Sequence, residues 1–215
     1  MATTTTPRKG KPWIFVTWLT GLLAGKAQCE WAAWYRARFK YDKVQSDFDL
    51  AAWTTAHDAL VLQRAREFEA DGWKVQRENQ NWVRVTGEHA VLVGKPDLIA
   101  SQGGQFTIAD GKSGDTNPKD WHQMLLYLYM VPMAWKRPTL RMTGEVFYVG
   151  HRIEIFPEEF TADLKSTAFA LVRRIAGPEP LKRVPSIPEC TRCDIADCPD
   201  RMTDTESTSP ITTEF

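Results

Sequence analysis

A short acidic segment holds the residues of this sequence that are best suited to chemistry. Two neighbouring glycines, Gly103 and Gly104, can form a two-residue hairpin turn, because glycine readily adopts the positive φ angles that such turns require. Counting outward from this turn places Asp97 directly opposite Asp110, with Lys112 two residues further along the same face. Opposed Cβ atoms lie only about 4.5–5.5 Å apart, so the two carboxylates repel each other unless a cation lies between them.

A hard divalent cation fits this pair of acids. Oxygen ligands suit Mg²⁺ and Mn²⁺, and Lys112 beside them can orient a water molecule or stabilise charge on a phosphate. The plainer interpretation is that the acids merely flank a turn beside a solvated lysine. The hairpin alone leaves both interpretations open.

Four cysteines are the second informative feature. Cys190, Cys193 and Cys198 lie close together, and Cys29 lies about 160 residues earlier. A disulfide framework is typical of small secreted domains, so this pattern favours a metal or cluster site. Thiolates bind both structural zinc and iron–sulfur clusters, and the spacing alone leaves both open.

The hydrophobic pattern predicts the elements that position these residues. Apolar residues near helical spacing predict helices over residues 17–40, 48–70, 117–135 and 158–175. Short runs with a period of two predict strands over residues 75–77, 82–86, 90–94, 95–100, 105–111, 145–149 and 152–155. Residues 177–188 are too rich in proline for a regular helix. This order of elements predicts a mixed α/β fold.

Composition excludes several classes of protein. The 215 residues are 43% hydrophobic and 25% charged, which is enough to bury a core, and 27 basic side chains balance 27 acidic ones. Zero net charge argues against a generic basic coat for nucleic acid but permits a local basic groove. The longest apolar stretches are too short to span a bilayer. A signal peptide ending near Ala27 is the less favoured interpretation, so we expect a cytoplasmic protein that is not bound to membranes.

The acidic segment resembles the motif of the PD-(D/E)XK nuclease superfamily. Pro96-Asp97 followed by Asp110-Gly111-Lys112 matches this motif, with aspartate rather than the commoner glutamate as the second acid. The resemblance implies a restriction-endonuclease-like α/β fold, in which helices flank a mixed β-sheet. It also implies that Asp97, Asp110 and Lys112 are catalytic residues.

Two further motifs resemble the RecB-like members of that superfamily. In those members a histidine on an upstream helix binds the catalytic metal, which implies a metal site formed by His57, Asp97 and Asp110. A Gln-x-x-x-Tyr motif after the catalytic strand holds DNA or the active site. Gln123 and Tyr127 match it at helical i, i+4 spacing, so the resemblance adds them to the catalytic set.

The cysteines resemble the iron–sulfur staple of AddB-type nucleases and CRISPR-associated RecB-family exonucleases. The resemblance implies that four thiolates bind a [4Fe–4S] cluster, namely those of Cys29, Cys190, Cys193 and Cys198. It places a helical iron–sulfur lobe at residues 13–45 and 177–200 and the nuclease core at residues 46–176. We expect disordered tails at residues 1–12 and 201–215, since both are rich in small polar residues.

Together these features predict a metal-dependent DNA exonuclease that acts on ends with single-stranded character. A basic and aromatic set in the cysteine-bearing lobe is expected to contact DNA: Trp34, Arg36, Arg38 and Lys40. The resemblance suggests CRISPR integration proteins or other DNA-processing proteins as partners, with a viral or repair role as further possibilities. A non-catalytic DNA-binding adaptor that retains the fold and the cluster is the alternative.

Overall fold

The computed structural model describes residues 5–44 and 49–202. Its helices are α1 (Val16–Leu23), α2 (Glu30–Arg38), α3 (Leu50–Ala70), α4 (Pro118–Ala134), α5 (Ala162–Ala176) and α6 (Ile187–Thr191). Its strands are β1 (Thr6–Pro7), β2 (Trp13–Phe15), β3 (Phe39–Lys40), β4 (Lys74–Arg77), β5 (Val83–Thr86), β6 (Val91–Gly94), β7 (Leu98–Gln102), β8 (Gln105–Lys112), β9 (Thr143–Tyr148) and β10 (His151–Ile155). The mixed α/β prediction is confirmed, and the fold is consistent with the restriction-endonuclease-like class.

The main sheet has five strands in the order β10-β9-β8-β7-β4. Strands β8 and β9 run parallel, and the other neighbours are antiparallel, so the sheet is mixed as expected. Helix α4 packs against one side of this sheet, where Met124, Leu125 and Leu128 join the larger hydrophobic core. Helix α3 packs against the other side through a smaller apolar cluster around Phe68 and Ala109.

The hairpin of β7 and β8 has the register predicted from the sequence. Leu98 lies opposite Ala109, and the two glycines between the strands have φ angles of 56° and 87°. The same register carried one residue further brings Asp97 opposite Asp110. The local pattern therefore placed the two acids correctly.

A second sheet of three strands, in the order β2-β6-β5, covers part of the core. Strand β2 pairs with β6 in parallel and leads directly into α1, so Phe15 rather than Thr17 occupies the N-cap position. This strand was not predicted. The helix predicted over residues 17–40 is divided into α1 and α2, and Gly25 in the connection has a positive φ of 66°.

The expected division of the chain needs correction at its N-terminal end. Residues 13–23 were assigned to the cysteine-bearing lobe, but Val16 and Leu19 are buried in the main core with α4. Residues 6–7, expected to be disordered, form β1 and pair with β3. The expected disorder of residues 1–4 and of most of the acidic tail lies outside the described residues.

The C-terminal part of the described chain packs against the N-terminal helices. Helix α5 packs against α1 and α2, and the proline-rich segment after it lacks regular structure until α6 begins at Ile187. Within the described residues, no helix is both long and apolar enough to span a membrane.

Candidate active site

Two buried carboxylates form the centre of the site. Asp110 on β8 is 3% exposed, and Asp97, just before β7, is 7% exposed. The Gly111 backbone N–H donates a hydrogen bond of 2.7 Å to Asp97 Oδ2, which fixes this carboxylate against the neighbouring strand. Burial is the main reason that the pKa of the Asp110 carboxyl rises to about 6; Lys112 lowers it and the Asp97 charge raises it further.

Lys112 neutralises part of this charge. Its Nζ lies 2.6 Å from Asp110 Oδ2 and donates a hydrogen bond of 3.1 Å to Gln123 Oε1. Burial lowers the pKa of Lys112, but the carboxylates of Asp110, Asp120 and Asp97 together raise it above its ordinary value, with Asp110 contributing most of the three. Lys112 therefore carries its full positive charge beside the acids.

Helix α4 supplies the polar groups that orient the acid and the lysine. Asn117 caps this helix through a hydrogen bond from the Lys119 N–H, and Pro118 occupies the first turn as expected. One turn later, Gln123 Nε2 lies 3.3 Å from Asp110 Oδ2 and donates to the Tyr127 hydroxyl at 3.0 Å. The predicted Gln-x-x-x-Tyr pair therefore lies in the same site as the acids.

A glycine allows the Tyr127 ring to lie this close to the sheet. A Cβ added to Gly94 at the end of β6 would lie 2.6 Å from the Tyr127 ring, closer than atoms can pack. Burial raises the pKa of the Tyr127 hydroxyl far above its ordinary value, so it stays protonated. It can therefore act as a neutral hydrogen-bonding group.

His57 reaches the site from α3. Its Nε2 lies 3.3 Å from Asp97 Oδ2, and its ring stacks on Trp53 with 5.0 Å between centroids. The hydrogen bond to Asp97 raises the pKa of His57. The structure thus brings together the six residues that the sequence assigned to catalysis and metal binding: His57, Asp97, Asp110, Lys112, Gln123 and Tyr127.

An open cavity of about 1040 Å³ gives access to these groups. Two exposed aromatic rings also line it: Trp53 is 42% exposed and Trp82 is 51% exposed. Lys95 lies over the Trp82 ring at 5.5 Å. The cavity therefore combines buried acids with cationic and aromatic groups near its opening.

The side chains of the site form hydrogen bonds and ion pairs with one another. Within residues 5–44 and 49–202, no group of three histidine, cysteine, aspartate or glutamate side chains is spaced to hold a metal ion. His57 is bonded to Asp97, and Lys112 to Asp110. The donor set still fits Mg²⁺ or Mn²⁺ chemically, since it offers two buried carboxylates and one imidazole.

The four cysteines line a second cavity of about 290 Å³. None forms a disulfide, and Cys190 is buried while the other three are partly exposed. The Glu189 carboxylate accepts hydrogen bonds from the backbone N–H groups of Gln28 and Cys29, which joins the N-terminal cysteine to α6. The thiols thus line one cavity and are of the donor type that binds zinc or an iron–sulfur cluster, but the described cysteines, like the acids above, are not spaced to hold a metal ion.

Most side chains of the predicted DNA-contacting set form hydrogen bonds or ion pairs within the protein. Trp34 is buried and donates through Nε1 to the Gly177 carbonyl, so its ring cannot stack on a base. Arg38 also donates to the Gly177 carbonyl, and Arg36 forms an ion pair with Asp194. The assignment of Trp34 is corrected because its ring is buried, while Arg36 and Arg38 join α2 to the C-terminal segment and their contact with DNA stays a prediction.

Exposed Lys40 in β3 is the remaining member of that set. It does not line the cavity that holds the acids. Its contact with DNA stays a prediction.

Two further acids near the main sheet were not predicted. Asp120 is buried beside Lys112, and buried Glu145 on β9 forms a two-pronged ion pair with Arg64 of α3 at 2.6 and 2.7 Å. The sequence pattern does not predict the Glu145–Arg64 ion pair, because Arg64 lies in a helix that is distant in the sequence. An acid in the first turn of a helix, such as Asp120, is common for other reasons.

Comparisons with known proteins concern the family and the fold of the chain. A family model described as the PD-(D/E)XK nuclease superfamily matches residues 18–198. A solved structure, the crystal structure of SSO0001, resembles the chain with a TM-score of 0.51 and 15% sequence identity, over 91% of this chain and 90% of that chain. At this identity the likeness concerns the fold alone. No curated protein matches the sequence.

Proposed function

We propose that this chain, which belongs to the PD-(D/E)XK nuclease superfamily, is a metal-dependent nuclease that hydrolyses phosphodiester bonds of DNA. Family membership indicates nuclease activity and a DNA substrate. The observation that carries the assignment of the site is the pair of buried carboxylates, Asp97 and Asp110, beside charged Lys112 in an open cavity.

Each residue has a role that follows from its contacts. Asp97, Asp110 and His57, with the Gly111 carbonyl, would hold one or two Mg²⁺ or Mn²⁺ ions. Such an ion supplies charge that polarises the phosphate and lowers the pKa of bound water. Lys112 orients the attacking water or stabilises negative charge on the phosphate.

Two residues of α4 support these roles in our proposal. Gln123 holds the Lys112 ammonium through its carbonyl and contacts Asp110 through its amide. Tyr127 fixes the Gln123 amide by accepting its other hydrogen bond. The pair therefore keeps Lys112 and Asp110 in a fixed relation.

We further propose that the substrate is a DNA end with unpaired nucleotides and that cleavage is exonucleolytic. The support is the exposed rings of Trp53 and Trp82, which lie in the cavity of the acids, since aromatic rings stack on unpaired bases. Trp13 is also exposed but does not line this cavity, so Trp13→Ala is a matched control for Trp82→Ala.

We propose that Cys29, Cys190, Cys193 and Cys198 bind a structural [4Fe–4S] cluster, with zinc as the alternative. The support is that all four thiols line one cavity and belong to segments joined by hydrogen bonds. A visible spectrum of anaerobically purified protein distinguishes the two. Broad absorbance that bleaches on reduction supports the cluster, and a colourless protein containing zinc contradicts it.

The biological setting remains part of the proposal. Unpaired clustered thiols are typical of a reducing compartment, so we place the protein in the cytoplasm. Trimming of DNA together with CRISPR integration proteins is the setting suggested by the RecB-like motifs; viral or repair DNA processing are the others. The alternative function, a non-catalytic DNA-binding adaptor, is disfavoured by the intact catalytic set.

A nuclease assay with Mn²⁺ tests the proposal. Wild type and Asp115→Ala are expected to degrade DNA with free ends, while Asp110→Ala is inactive. Asp115 is the matched control, because it is an exposed acid lining the same cavity. Equal degradation by all three proteins, or by none, would reject the catalytic function and favour the adaptor.

A further inference from the structure

Asp120 is a third buried carboxylate in the active-site cavity. It lies in the first turn of α4 and is 2% exposed. The Tyr148 hydroxyl donates a hydrogen bond of 3.1 Å to its Oδ2. Its Oδ1 is buried and has no hydrogen-bond partner among the described residues. A buried carboxylate oxygen without a hydrogen bond destabilises the folded protein, so we expect Asp120 to have a function that outweighs this cost.

The nearest cation to this oxygen is the catalytic lysine. Lys112 Nζ lies 3.9 Å from Asp120 Oδ1 and 2.6 Å from Asp110 Oδ2, so the ammonium group lies between two carboxylates and is bonded to only one. Gln123 Oε1 accepts a third contact from the same ammonium at 3.1 Å. The hydrogen bond to Gln123 therefore holds the Lys112 ammonium group close to both Asp110 and Asp120.

A divalent cation on Asp110 changes the balance between these two positions. The ion and the ammonium would compete for the same carboxylate, and their like charges repel at short distance. Lys112 then needs another anionic partner, because an unpaired ammonium in a largely buried site is unfavourable. Asp120 Oδ1, which lies 3.9 Å from Lys112 Nζ and is buried without a hydrogen-bond partner among the described residues, is placed to be that partner.

We propose that Asp120 is a positioning residue that accepts the Lys112 ammonium when a divalent cation occupies Asp110. The inference rests on the proposed function, since it requires a cation at the Asp97–Asp110 site. In this structure Lys112 pairs with Asp110. In the loaded state it pairs with Asp120 and still donates to Gln123, which keeps it beside the cavity for the phosphate.

A double-mutant cycle on Mn²⁺ affinity tests this role without relying on activity. Isothermal titration of the full-length protein is carried out on wild type, Asp120→Asn, Lys112→Met and the double variant. Asp120→Asn is expected to weaken Mn²⁺ binding about tenfold, equivalent to about 1.4 kcal/mol. In the Lys112→Met background the same change is expected to alter affinity less than about twofold, because no ammonium then needs a second partner.

A control separates this effect from simple loss of negative charge. Asp115→Asn removes one charge from the exposed part of the same cavity and is expected to change Mn²⁺ affinity less than about twofold. An equal effect of Asp120→Asn in both lysine backgrounds, or no effect in either, overturns the inference while leaving the proposed function intact. Absence of Mn²⁺ binding by wild type overturns both.

A second measurement needs no variant and applies even if Asp120→Asn does not fold. A crystal structure of the wild type with Ca²⁺ at the site is expected to show Lys112 Nζ within hydrogen-bond distance of Asp120 Oδ1, about 3.2 Å or less. An ammonium still bonded to Asp110, or turned toward solvent, overturns the inference.

Discussion

Replacing Asp110 with asparagine should stabilise the metal-free protein. The carboxylate is 3% exposed and lies opposite Asp97, so its negative charge is disfavoured in the fold even with Lys112 beside it. Asparagine keeps the shape of the side chain and removes the charge. A residue selected for catalysis or ion binding is commonly a burden on stability when its ligand is absent.

The expected gain in the free energy of unfolding follows from the pKa of Asp110. It rises from 3.8 to about 6 on folding, which corresponds to roughly 3 kcal/mol lost when the ionised form must be folded. Because the folded protein holds this proton more tightly, wild-type stability from this group falls as pH rises from about 4 to 6 and is then constant. We expect Asp110→Asn to gain about 1–3 kcal/mol at pH 7.5, or roughly 3–10 °C in Tm.

Anaerobic urea denaturation of wild type and Asp110→Asn, with a chelator present, measures this difference. Repeating it at pH 4 supplies an internal control, since the acid is then protonated in the folded wild type and the two curves should converge. The difference between the proteins removes only the part of the His57 contribution that is independent of Asp110, because the Asp110 charge is one of the causes that raise the pKa of His57. Addition of Mn²⁺ should stabilise wild type but not Asp110→Asn.

The opposite sign would refute this reasoning. A less stable Asp110→Asn at pH 7.5 would mean that the ion pair with Lys112 outweighs the burial of the acid. A difference that is the same at pH 4 and pH 7.5 would show that packing, and not charge, is responsible.

Three other substitutions test a buried ion pair beneath the sheet, the packing of the Tyr127 ring and the stacking of DNA bases on Trp82. Arg64→Met should cost about 3–5 kcal/mol in urea denaturation, because it leaves the Glu145 carboxylate buried, whereas also changing Glu145 to leucine should restore most of the loss; equal losses in both proteins would contradict this. Gly94→Ala should cost about 1–3 kcal/mol and lower nuclease activity, since the new Cβ meets the Tyr127 ring; unchanged stability and activity would show that the ring moves freely. Trp82→Ala should weaken binding of single-stranded DNA by about 1–3 kcal/mol in fluorescence anisotropy and leave duplex binding nearly unchanged; equal weakening of both would refute stacking.

The acidic hairpin could be predicted because its geometry is local. A two-glycine turn fixes the register of the strands on either side, and the period of two then fixes the face on which each side chain lies. Asp97, Asp110 and Lys112 follow from those two facts alone. Gln123 follows from its helical spacing once the family resemblance identifies the motif.

The N-terminal region could not be predicted because its partners are distant in the sequence. Strand β2 has three residues and is defined by parallel pairing with β6, far along the chain. The apolar character of residues 13–37 is nearly continuous, so the break between α1 and α2 at Gly25 has little signal. Tertiary packing, rather than local preference, determines this part of the fold.

The roles of Trp34, Arg38 and Asp120 show a different limit. An aromatic residue beside arginines is typical both of a DNA-binding surface and of a contact between chain segments, and in this fold it is the latter for Trp34 and Arg38. Asp120 looks like an ordinary helix-start acid until the structure places it beside Lys112. Residue type alone cannot decide between such roles without the burial and partners of each side chain.

The most direct test of the account is the Mn²⁺ dependence of DNA cleavage in a single turnover by wild type and Asp97→Asn. We expect wild-type cleavage to saturate with Mn²⁺ and to stop when the ion is chelated, while the variant binds DNA but does not cut it. Cleavage by Asp97→Asn at the wild-type rate, or wild-type cleavage that persists under chelation, would contradict the assignment of the paired acids as the catalytic centre.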